Sequence, residues 1–346
     1  MRIEKLIVLF GLLGLTGCSA TISEYISGQQ SFSYEHLASS DELVRLGFRK
    51  SHYCPDQNQT CISYLTADPL TDVSKLDYEV TIDALGKEET IQLHLVRKNT
   101  GWYRGQVILI HGFRMTKEFM VNSALYFRFL GFRVLVPDLL AHGESGGEIG
   151  YGVLDSQILD AVLGHLSGSN DCPTLVVGNS MGAVAATHLA RKNDRVSGLI
   201  LQAPMTIFDS ASVNYINSYS PFMASFLPDQ IIREGAVEAL NNAGVLTSQT
   251  DIKPILSSLK IPTLILASDN DAVAPYAYYQ PSQSQEVTVT RIDSRSHPGM
   301  AVIGQLDSDH IQQWLDLEAN KIFQRTSREE CRSRPVAIGT FLTAVR

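Results

Sequence analysis

Short apolar stretches alternate with amphipathic stretches along the chain from about residue 77 onward. The apolar stretches are rich in Val, Ile and Leu, as in "QVILI", "RVLV", "TLVV", "LILQ" and "TLIL". The stretches between them have helical spacing, for example "KEFMVNSALYFRFL", which ends at Gly131, and "MGAVAATHLARK". Strands that are apolar on both sides are typical of a parallel sheet covered on both faces. The pattern therefore predicts an α/β domain with a mostly parallel central sheet.

Two segments depart from this alternation. "YEVTID" and "TIQLHLV" alternate apolar and polar residues around the turn "ALGKE", which predicts an antiparallel hairpin. Residues 205–255 lie between two apolar strands and hold many aromatic residues, punctuated by Pro221 and Pro228. A loop of that length without secondary structure is uncommon. We predict a small helical cap, whose aromatic residues either pack it onto the core or line an apolar pocket.

The N-terminal residues have a composition of their own. "MRIEK" precedes an apolar run, Leu6–Leu15, that is too short to span a bilayer and fits a signal-peptide core. The run ends in "LTGCSA", which resembles the processing box of bacterial lipoprotein signal sequences. The resemblance implies removal of residues 1–17, lipidation of Cys18, attachment to the membrane, and delivery to the outer membrane because Ser19 follows. The alternatives are an ordinary secretory signal cut nearby or a retained anchor.

The remaining segments outside the alternating region are less regular. Residues 18–76 are predicted to be a tether and an N-terminal lead-in, with a short helix in "DELVRLGF". Residues 326–346 form a C-terminal tail to which the sequence assigns no role. The chain of 346 residues is 44% hydrophobic, enough for one large or two small globular domains. Its formal net charge of −8 lacks the basic footprint of a nucleic-acid-binding protein.

Four cysteines remain after Cys18. Export would place them in an oxidising compartment, where pairing is favoured over free thiols. Cys54 and Cys61 flank the polar turn "PDQNQT" and are predicted to pair, which would leave Cys172 to pair with Cys331. The chain has neither C-x-x-C nor H-E-x-x-H, so we expect no metal site.

The pattern G-x-S-x-G occurs twice, in "GNSMG" around Ser180 and in "GESGG" around Ser145. A nucleophile elbow requires a strand that runs directly into the turn and a helix that follows it. Ser180 has both, because "TLVV" precedes it and "MGAVAATHLARK" follows. The strand before Ser145 ends too early, at Pro137, and the following "GGEIGYG" is too rich in glycine to begin a helix. We therefore predict Ser180 as the nucleophile and place Ser145 in a neighbouring loop.

Together with "HGF" at 111–113 and "PDLLAHGES", the elbow makes residues 77–325 resemble the α/β-hydrolase family. Ala141 stands where the family stretch D-x-x-G-H-G-x-S has its first glycine. The family order of nucleophile, acid and histidine implies Asp271, in "DAVAP", as the acid and His297, after the last strand, as the base. Asp269 is the competing acid.

The resemblance also implies the other parts of the site. The oxyanion hole would consist of the backbone N–H groups of Phe113 and Met181. His111 would shape the loop that carries Phe113, and His142 would lie beside the site. Within the family, the layout resembles the branch of monoglyceride lipases, lysophospholipases and small-ester esterases.

That branch implies a Ser-His-Asp hydrolase of carboxylic esters that acts on a small-molecule ester, possesses no cofactor and does not bind nucleic acid. Peptidase-like or thioesterase activity is the alternative within the enzymes. A catalytically silent surface lipoprotein that serves as a binding module is the alternative of another class, although all three catalytic candidates are present here.

Overall fold

The computed structural model describes residues 19–28, 37–55, 60–83, 88–97, 103–167 and 172–323. The strands within these ranges are β1 (Arg49–Tyr53), β2 (Ile62–Ala67), β3 (Lys75–Asp83), β4 (Glu88–Val96), β5 (Gln106–Ile110), β6 (Arg133–Pro137), β7 (Thr174–Asn179), β8 (Val196–Gln202), β9 (Thr263–Ala267) and β10 (Val287–Arg291). The helices are α1 (residues 19–27), α2 (Ser40–Arg45), α3 (Val121–Leu130), α4 (Asp155–Ser167), α5 (Met181–Lys192), α6 (Phe208–Tyr219), α7 (Pro221–Phe226), α8 (Asp229–Asn242), α9 (Lys253–Leu256), α10 (Tyr276–Tyr279) and α11 (Gln305–Phe323). Single 3-10 turns occur at Lys117–Met120, Thr247–Thr250, Gln280–Ser282 and Gly299–Ala301.

Eight strands form one sheet in the order β1-β2-β6-β5-β7-β8-β9-β10. Six neighbouring strands of this sheet run parallel to one another: β6, β5, β7, β8, β9 and β10. The two remaining strands, β1 and β2, are antiparallel to their neighbours. Successive residues of a strand reach opposite faces of the sheet: Leu175 belongs to one buried apolar cluster and Val176 to the other. Both faces are covered, which is why these strands are continuously apolar. The predicted mostly parallel α/β fold is confirmed.

The hairpin and the cap are also present. β3 and β4 pair antiparallel, but as a separate two-stranded sheet. The insertion between β8 and β9 folds into α6, α7, α8 and α9, so the predicted cap is helical. Its helices α6 and α8 pack against each other.

The segment predicted to be a tether and lead-in has more structure than the sequence indicated. β1 and β2 belong to the central sheet, where β2 pairs with β6. The sequence hides β1 because "RKSHY" forms the solvent-exposed edge of the sheet and is therefore mostly polar. The expected helix in this segment is α2, which begins with a capping box between Ser39 and Glu42.

Helix α1 packs on the cap although its residues were expected to be part of a tether. Ile22 and Ile26 are buried, and a Cβ atom added at Gly235 of α8 would lie 2.7 Å from the Cβ atom of Ile22. The amide of Asn242 donates to the Ser23 hydroxyl at 3.3 Å. Close backbone approach and buried side chains hold α1 against α8.

Cys54 and Cys61 form the predicted disulfide, with their Cα atoms 4.2 Å apart. Cys172 is also disulfide-bonded. Its predicted partner Cys331 lies outside the described residues, as do Cys18, residues 1–17 and the tail 326–346, so these assignments stay predictions. Among the helices in the described ranges, none is long and apolar enough to cross a membrane.

Candidate active site

Ser180 lies at the sharp turn between β7 and α5. Its φ of 52° and ψ of −116° are a strained combination for a residue with a side chain. A Cβ atom at Gly178 would lie 2.4 Å from the carbonyl oxygen of Gly182, and one at Gly182 would lie 2.4 Å from that of Ile110. Both positions therefore require glycine. The turn is fixed to the next strand by the Ser180 N–H, which donates to the Gln202 carbonyl at 3.0 Å.

The structure brings Ser180, His297 and Asp271 into one hydrogen-bonded row. Nε2 of His297 lies 2.9 Å from Oγ of Ser180. Nδ1 of His297 lies 2.7 Å from Oδ2 of Asp271. The other carboxylate oxygen of Asp271 accepts the backbone N–H groups of Val273 and Ala274, at 2.9 Å each. Asp271 is fully buried, while Ser180 and His297 are 7% and 9% exposed.

The two competing candidates lie elsewhere. Asp269 forms an exposed ion pair with Arg291 at 2.8 Å. The Ser145 hydroxyl donates to the Asp138 carbonyl at 3.0 Å and accepts the Ser63 N–H at 3.0 Å. Ser145 therefore connects the loop after β6 to β2.

Two backbone donors are available near Ser180. Met181 is the first residue of α5, where N–H groups have no partner within the helix. Among the described residues, no acceptor bonds the N–H group of Met181 or that of Phe113. The loop that carries Phe113 passes close to Ser180, because a Cβ atom at Gly112 would lie 3.2 Å from the Cβ atom of Ser180. These two residues can therefore serve the oxyanion role predicted for them.

Two buried histidines support this loop. Nε2 of His111 accepts the Leu139 N–H at 3.0 Å, so Nδ1 carries the proton and donates to the Gly112 carbonyl at 2.8 Å. Burial lowers the pKa of His111 to about 4. Burial and the neighbouring His111 lower the pKa of His142 to about 4 as well. Both rings are neutral at pH 7 and connect the "HGF" loop to the loop after β6.

A buried ion pair between Lys117 and Asp138 fixes the loop after β6. No sequence motif indicated it. The carboxylate of Asp138 accepts the backbone N–H and the ammonium of Lys117, each at 2.7 Å. The ammonium also contacts Glu144 at 2.9 Å and Glu118 at 3.1 Å. Burial alone lowers the pKa of Lys117, but the three carboxylates raise it above its ordinary value. The lysine therefore stays charged and crosslinks the turn.

Ser180 and His297 open into a cavity of about 260 Å³. Its walls come from the loop after β5, from cap helix α6 and from α1, which contributes Ile22, Tyr25 and Ile26. No motif identified these three residues, because only the folded chain brings α1 to the site. The cap also contacts His297, because the Tyr219 hydroxyl accepts the backbone N–H of His297 at 3.1 Å. No group of three or more potential metal-ligating side chains is found in the described part of the chain.

Comparisons with known proteins agree with this architecture. A family model described as serine aminopeptidase, S33, matches residues 102–229. The lipase LipV of Mycobacterium tuberculosis is 30% identical over 127 residues, 36% of this chain and 47% of that protein; the match thus spans about half the length of that relative. A thermostable monoacylglycerol lipase of a Bacillus species is 25% identical over 206 residues, 55% of this chain and 82% of that protein.

A solved esterase of Pyrococcus furiosus has the same fold. It superposes with a TM-score of 0.56 at 15% identity, covering 83% of this chain and 97% of that one. The chain has the α/β-hydrolase fold, and its sequence is similar to those of lipases. The α/β-hydrolase fold that the resemblance implied is confirmed.

Proposed function

We propose that the protein is a serine hydrolase that cleaves carboxylic esters with Ser180, His297 and Asp271. The observation that carries the proposal is the unbroken row of hydrogen bonds from Asp271 to Ser180 at the base of an apolar cavity. A serine hydroxyl is a weak nucleophile by itself and needs an adjacent base. Nε2 of His297, at 2.9 Å from Oγ, is in position to be that base.

This geometry supports the following acyl-enzyme reaction. Ser180 attacks the acyl carbonyl while His297 takes its proton, and Asp271 stabilises the imidazolium that forms. The N–H groups of Met181 and Phe113 donate to the oxyanion of the tetrahedral intermediate. His297 then gives its proton to the leaving alcohol. Water, activated by the same imidazole, hydrolyses the acyl-enzyme and restores Ser180.

A lipid-like ester is the substrate that the cavity walls favour. Ile22, Ile26 and Phe208 offer an apolar surface beside the nucleophile, suited to an acyl chain. Two of the related proteins are named as a lipase and as a monoacylglycerol lipase. We therefore propose monoacylglycerols or lysophospholipids as the substrate class.

An aminopeptidase is the second candidate, because the matching family model carries that description. An aminopeptidase needs a negative group for the free amine of its substrate. No Asp or Glu is found among the described residues that line the cavity, and its one permanently charged side chain is that of Arg114. A cation beside the site repels an ammonium group, so the lining favours neutral or anionic esters over peptides.

The test compares the two serines. A fluorophosphonate probe labels serine hydrolases covalently, and we expect it to label the wild type and Ser145→Ala but not Ser180→Ala. We expect hydrolysis of p-nitrophenyl butyrate to show the same pattern, while alanine p-nitroanilide remains uncleaved. A wild type that neither labels nor hydrolyses any ester would establish a silent binding module instead. Rapid cleavage of the anilide would favour the aminopeptidase, and faster cleavage of an acyl thioester than of the matched oxygen ester would favour a thioesterase.

We also propose that Cys18 carries lipid and anchors the enzyme to the outer membrane. The processing box "LTGCSA" supports the lipidation, and the serine after Cys18 supports the outer-membrane destination. Lipid chains at this position would hold the body directly beside a membrane. Retention of the enzyme in the membrane fraction, and its loss in Cys18→Ser, would test the anchor.

A further inference from the structure

Arg114 is a charged residue in a mostly apolar cavity. It directly follows Phe113 and lines the same cavity as Ser180. Its side chain is buried, with 5% of the residue exposed. Its backbone is left-handed, with a φ of 59°, an uncommon conformation for an arginine. The loop is therefore held in a shape that places a cation in the same cavity as the proposed nucleophile.

The contacts of Arg114 leave much of its guanidinium unused. One amino group donates to the backbone carbonyl of Tyr25 in α1. The guanidinium carbon lies 4.2 Å from the centroid of the Tyr25 ring and 5.3 Å from that of Phe113. Within the described residues, Nε has no hydrogen-bond acceptor and no carboxylate forms an ion pair with Arg114. A guanidinium has five N–H donors, and among the described residues one carbonyl accepts from Arg114.

Another buried arginine shows what a purely structural role looks like in this fold. Arg128 is 1% exposed, and its guanidinium also lies over an aromatic ring, that of Phe48, at 4.9 Å. It donates to two backbone carbonyls, from Nε at 2.7 Å and from Nη1 at 2.6 Å. It does not line the catalytic cavity. The Nε of Arg128 thus donates a hydrogen bond, whereas the Nε of Arg114 has no acceptor among the described residues.

We propose that Arg114 binds an anionic head group of the ester substrate, with phosphate as the group to be tested. A buried cation is costly unless an anion or several acceptors compensate it. Aromatic rings and one carbonyl compensate Arg114 only in part. Guanidinium is well suited to a phosphate because its planar donors match the phosphate oxygens. The ester bond would lie at Ser180 and the anion at Arg114, in one cavity.

The inference rests on the proposed ester hydrolysis and narrows its substrate class. It favours a monoacyl glycerol phosphate, such as a lysophosphatidate, over the neutral monoacylglycerol with the same acyl chain. It also gives α1 a role, because the carbonyl and the ring of Tyr25 hold the guanidinium in place. The guanidinium would contribute to substrate binding, so its loss should raise KM and leave kcat nearly unchanged.

Paired substrates test the proposal. Lauroyl lysophosphatidate and monolauroylglycerol share an acyl chain and differ in the phosphate. We expect Arg114→Gln to raise KM for the lysophosphatidate at least tenfold, with less than a twofold change for the neutral ester and little change in kcat for either. Arg114→Lys, which keeps the charge, should recover part of the affinity. Equal effects on the two substrates, or no effect on either, would overturn the proposal.

Arg128→Gln is the matched control, because it removes a buried, ring-stacked guanidinium outside the cavity. We expect it to lower the melting temperature without changing the ratio of the two KM values. A selective loss of lysophosphatidate binding in this control would show that destabilisation, and not the loss of the cavity cation, causes the effect.

A binding measurement separates the anion site from catalysis. Calorimetry with Ser180→Ala should show that dodecyl phosphate binds at least tenfold more tightly than dodecanol, and that adding Arg114→Gln removes the difference. Inorganic phosphate in the same cell tests whether the free ion is the ligand: tight binding of phosphate alone would overturn the head-group assignment. If the wild type hydrolyses no ester but this difference persists, the proposed activity fails while the anion site stands. If esters are hydrolysed but the difference is absent, only the anion site fails.

Discussion

At the scale of single residues, the site depends on which oxygen and nitrogen atoms face each other. Asp271 is constrained on both sides, because Oδ1 accepts two backbone N–H groups and Oδ2 lies at Nδ1 of His297. An asparagine here must keep its carbonyl toward the backbone donors. Its NH₂ group would then face Nδ1 of His297 and favour the tautomer with the proton on Nε2, which cannot accept the proton of Ser180.

We therefore expect Asp271→Asn to lower kcat by about 10⁴-fold, the scale of the same substitution in serine proteases. The probe reaction and the hydrolysis of p-nitrophenyl butyrate measure the change. Asp269→Asn is the control, since Asp269 pairs with Arg291 at the surface, and it should stay within twofold of the wild type. Comparable losses in both variants would contradict the assignment of the acid.

The neutral histidines predict a pH dependence of stability. Burial lowers the pKa of His111 from an ordinary value of 6.5 to about 4 in the folded protein. Between these two values, the unfolded chain binds a proton at this residue that the folded protein does not. Falling pH therefore destabilises the fold across this window, and the loss is complete below about pH 4. Asp155, whose pKa burial raises to about 6, acts in the opposite direction.

Comparing the wild type with His111→Asn cancels the contributions of all groups whose pKa does not depend on His111. Urea unfolding should show the wild type more stable at pH 7.5, where the gap between the two proteins does not change with pH. Within the window from pH 6 to 4.5 the gap should shrink by about 1.4 kcal/mol per pH unit. A gap that is constant across the whole range would show that His111 titrates normally in the folded protein.

The sequence predicted those candidate site residues that stand directly beside a recognisable strand or helix. Ser180 stands between a strand and a helix, and Asp271 and His297 each follow a core strand. Arg114 and Tyr219 could not be predicted as cavity residues, because their roles arise from contacts with α1 and with the backbone of His297. Such contacts join residues far apart in sequence, and no local pattern encodes them.

At the scale of secondary-structure elements, cap helix α6 contacts the loop that carries His297. Its last residue, Tyr219, accepts the N–H group of His297 at 3.1 Å. We expect Tyr219→Phe to leave that N–H without its acceptor, at a cost of about 1 kcal/mol. Because this hydrogen bond positions the imidazole of His297, we expect its loss to lower kcat by about fivefold, the factor that corresponds to about 1 kcal/mol.

Ester hydrolysis and urea unfolding of Tyr219→Phe measure the two effects. Tyr278→Phe is the matched control, because Tyr278 also uses its hydroxyl in one hydrogen bond, to Asp251 at 3.3 Å, and does not line the cavity. It should lose stability without losing kcat. If Tyr219→Phe keeps full activity, the cap covers the site without positioning His297.

The elements themselves were predictable to the extent that they are buried. The strands at the centre of the sheet bury both faces and are read directly as apolar runs. The first four residues of β1 are exposed, so the strand is mostly polar and does not appear as an apolar run. The cap was predicted from its length and composition, but the order of its short helices depends on how α6 and α8 pack on each other.

At the scale of the whole molecule, α1 connects the start of the described chain to the active site. It buries Ile22 and Ile26 against the cap, lines the cavity and supplies the carbonyl that holds Arg114. The Ser27 hydroxyl lies 3.1 Å from that of Tyr151, in the loop after β6. Helix α1 thus contacts three separate parts of the site: the cap, the loop after β5 and the loop after β6.

This placement predicts how the proposed anchor acts on catalysis. Cys18 is the residue before Ser19, where the described part of α1 begins, so a lipid at Cys18 would keep the cavity within about one helix length of the membrane. Substrate embedded in that membrane would then reach Ser180 without free diffusion of the enzyme.

We expect Cys18→Ser, released from the membrane, to hydrolyse soluble p-nitrophenyl butyrate at the wild-type rate. Its rate on monoacylglycerol in lipid vesicles should fall at least tenfold relative to the wild type reconstituted in the same vesicles. Equal rates on both substrates would show that the anchor determines only where the enzyme resides, whereas equal losses on both would show that the substitution disturbs α1 and the cavity wall itself.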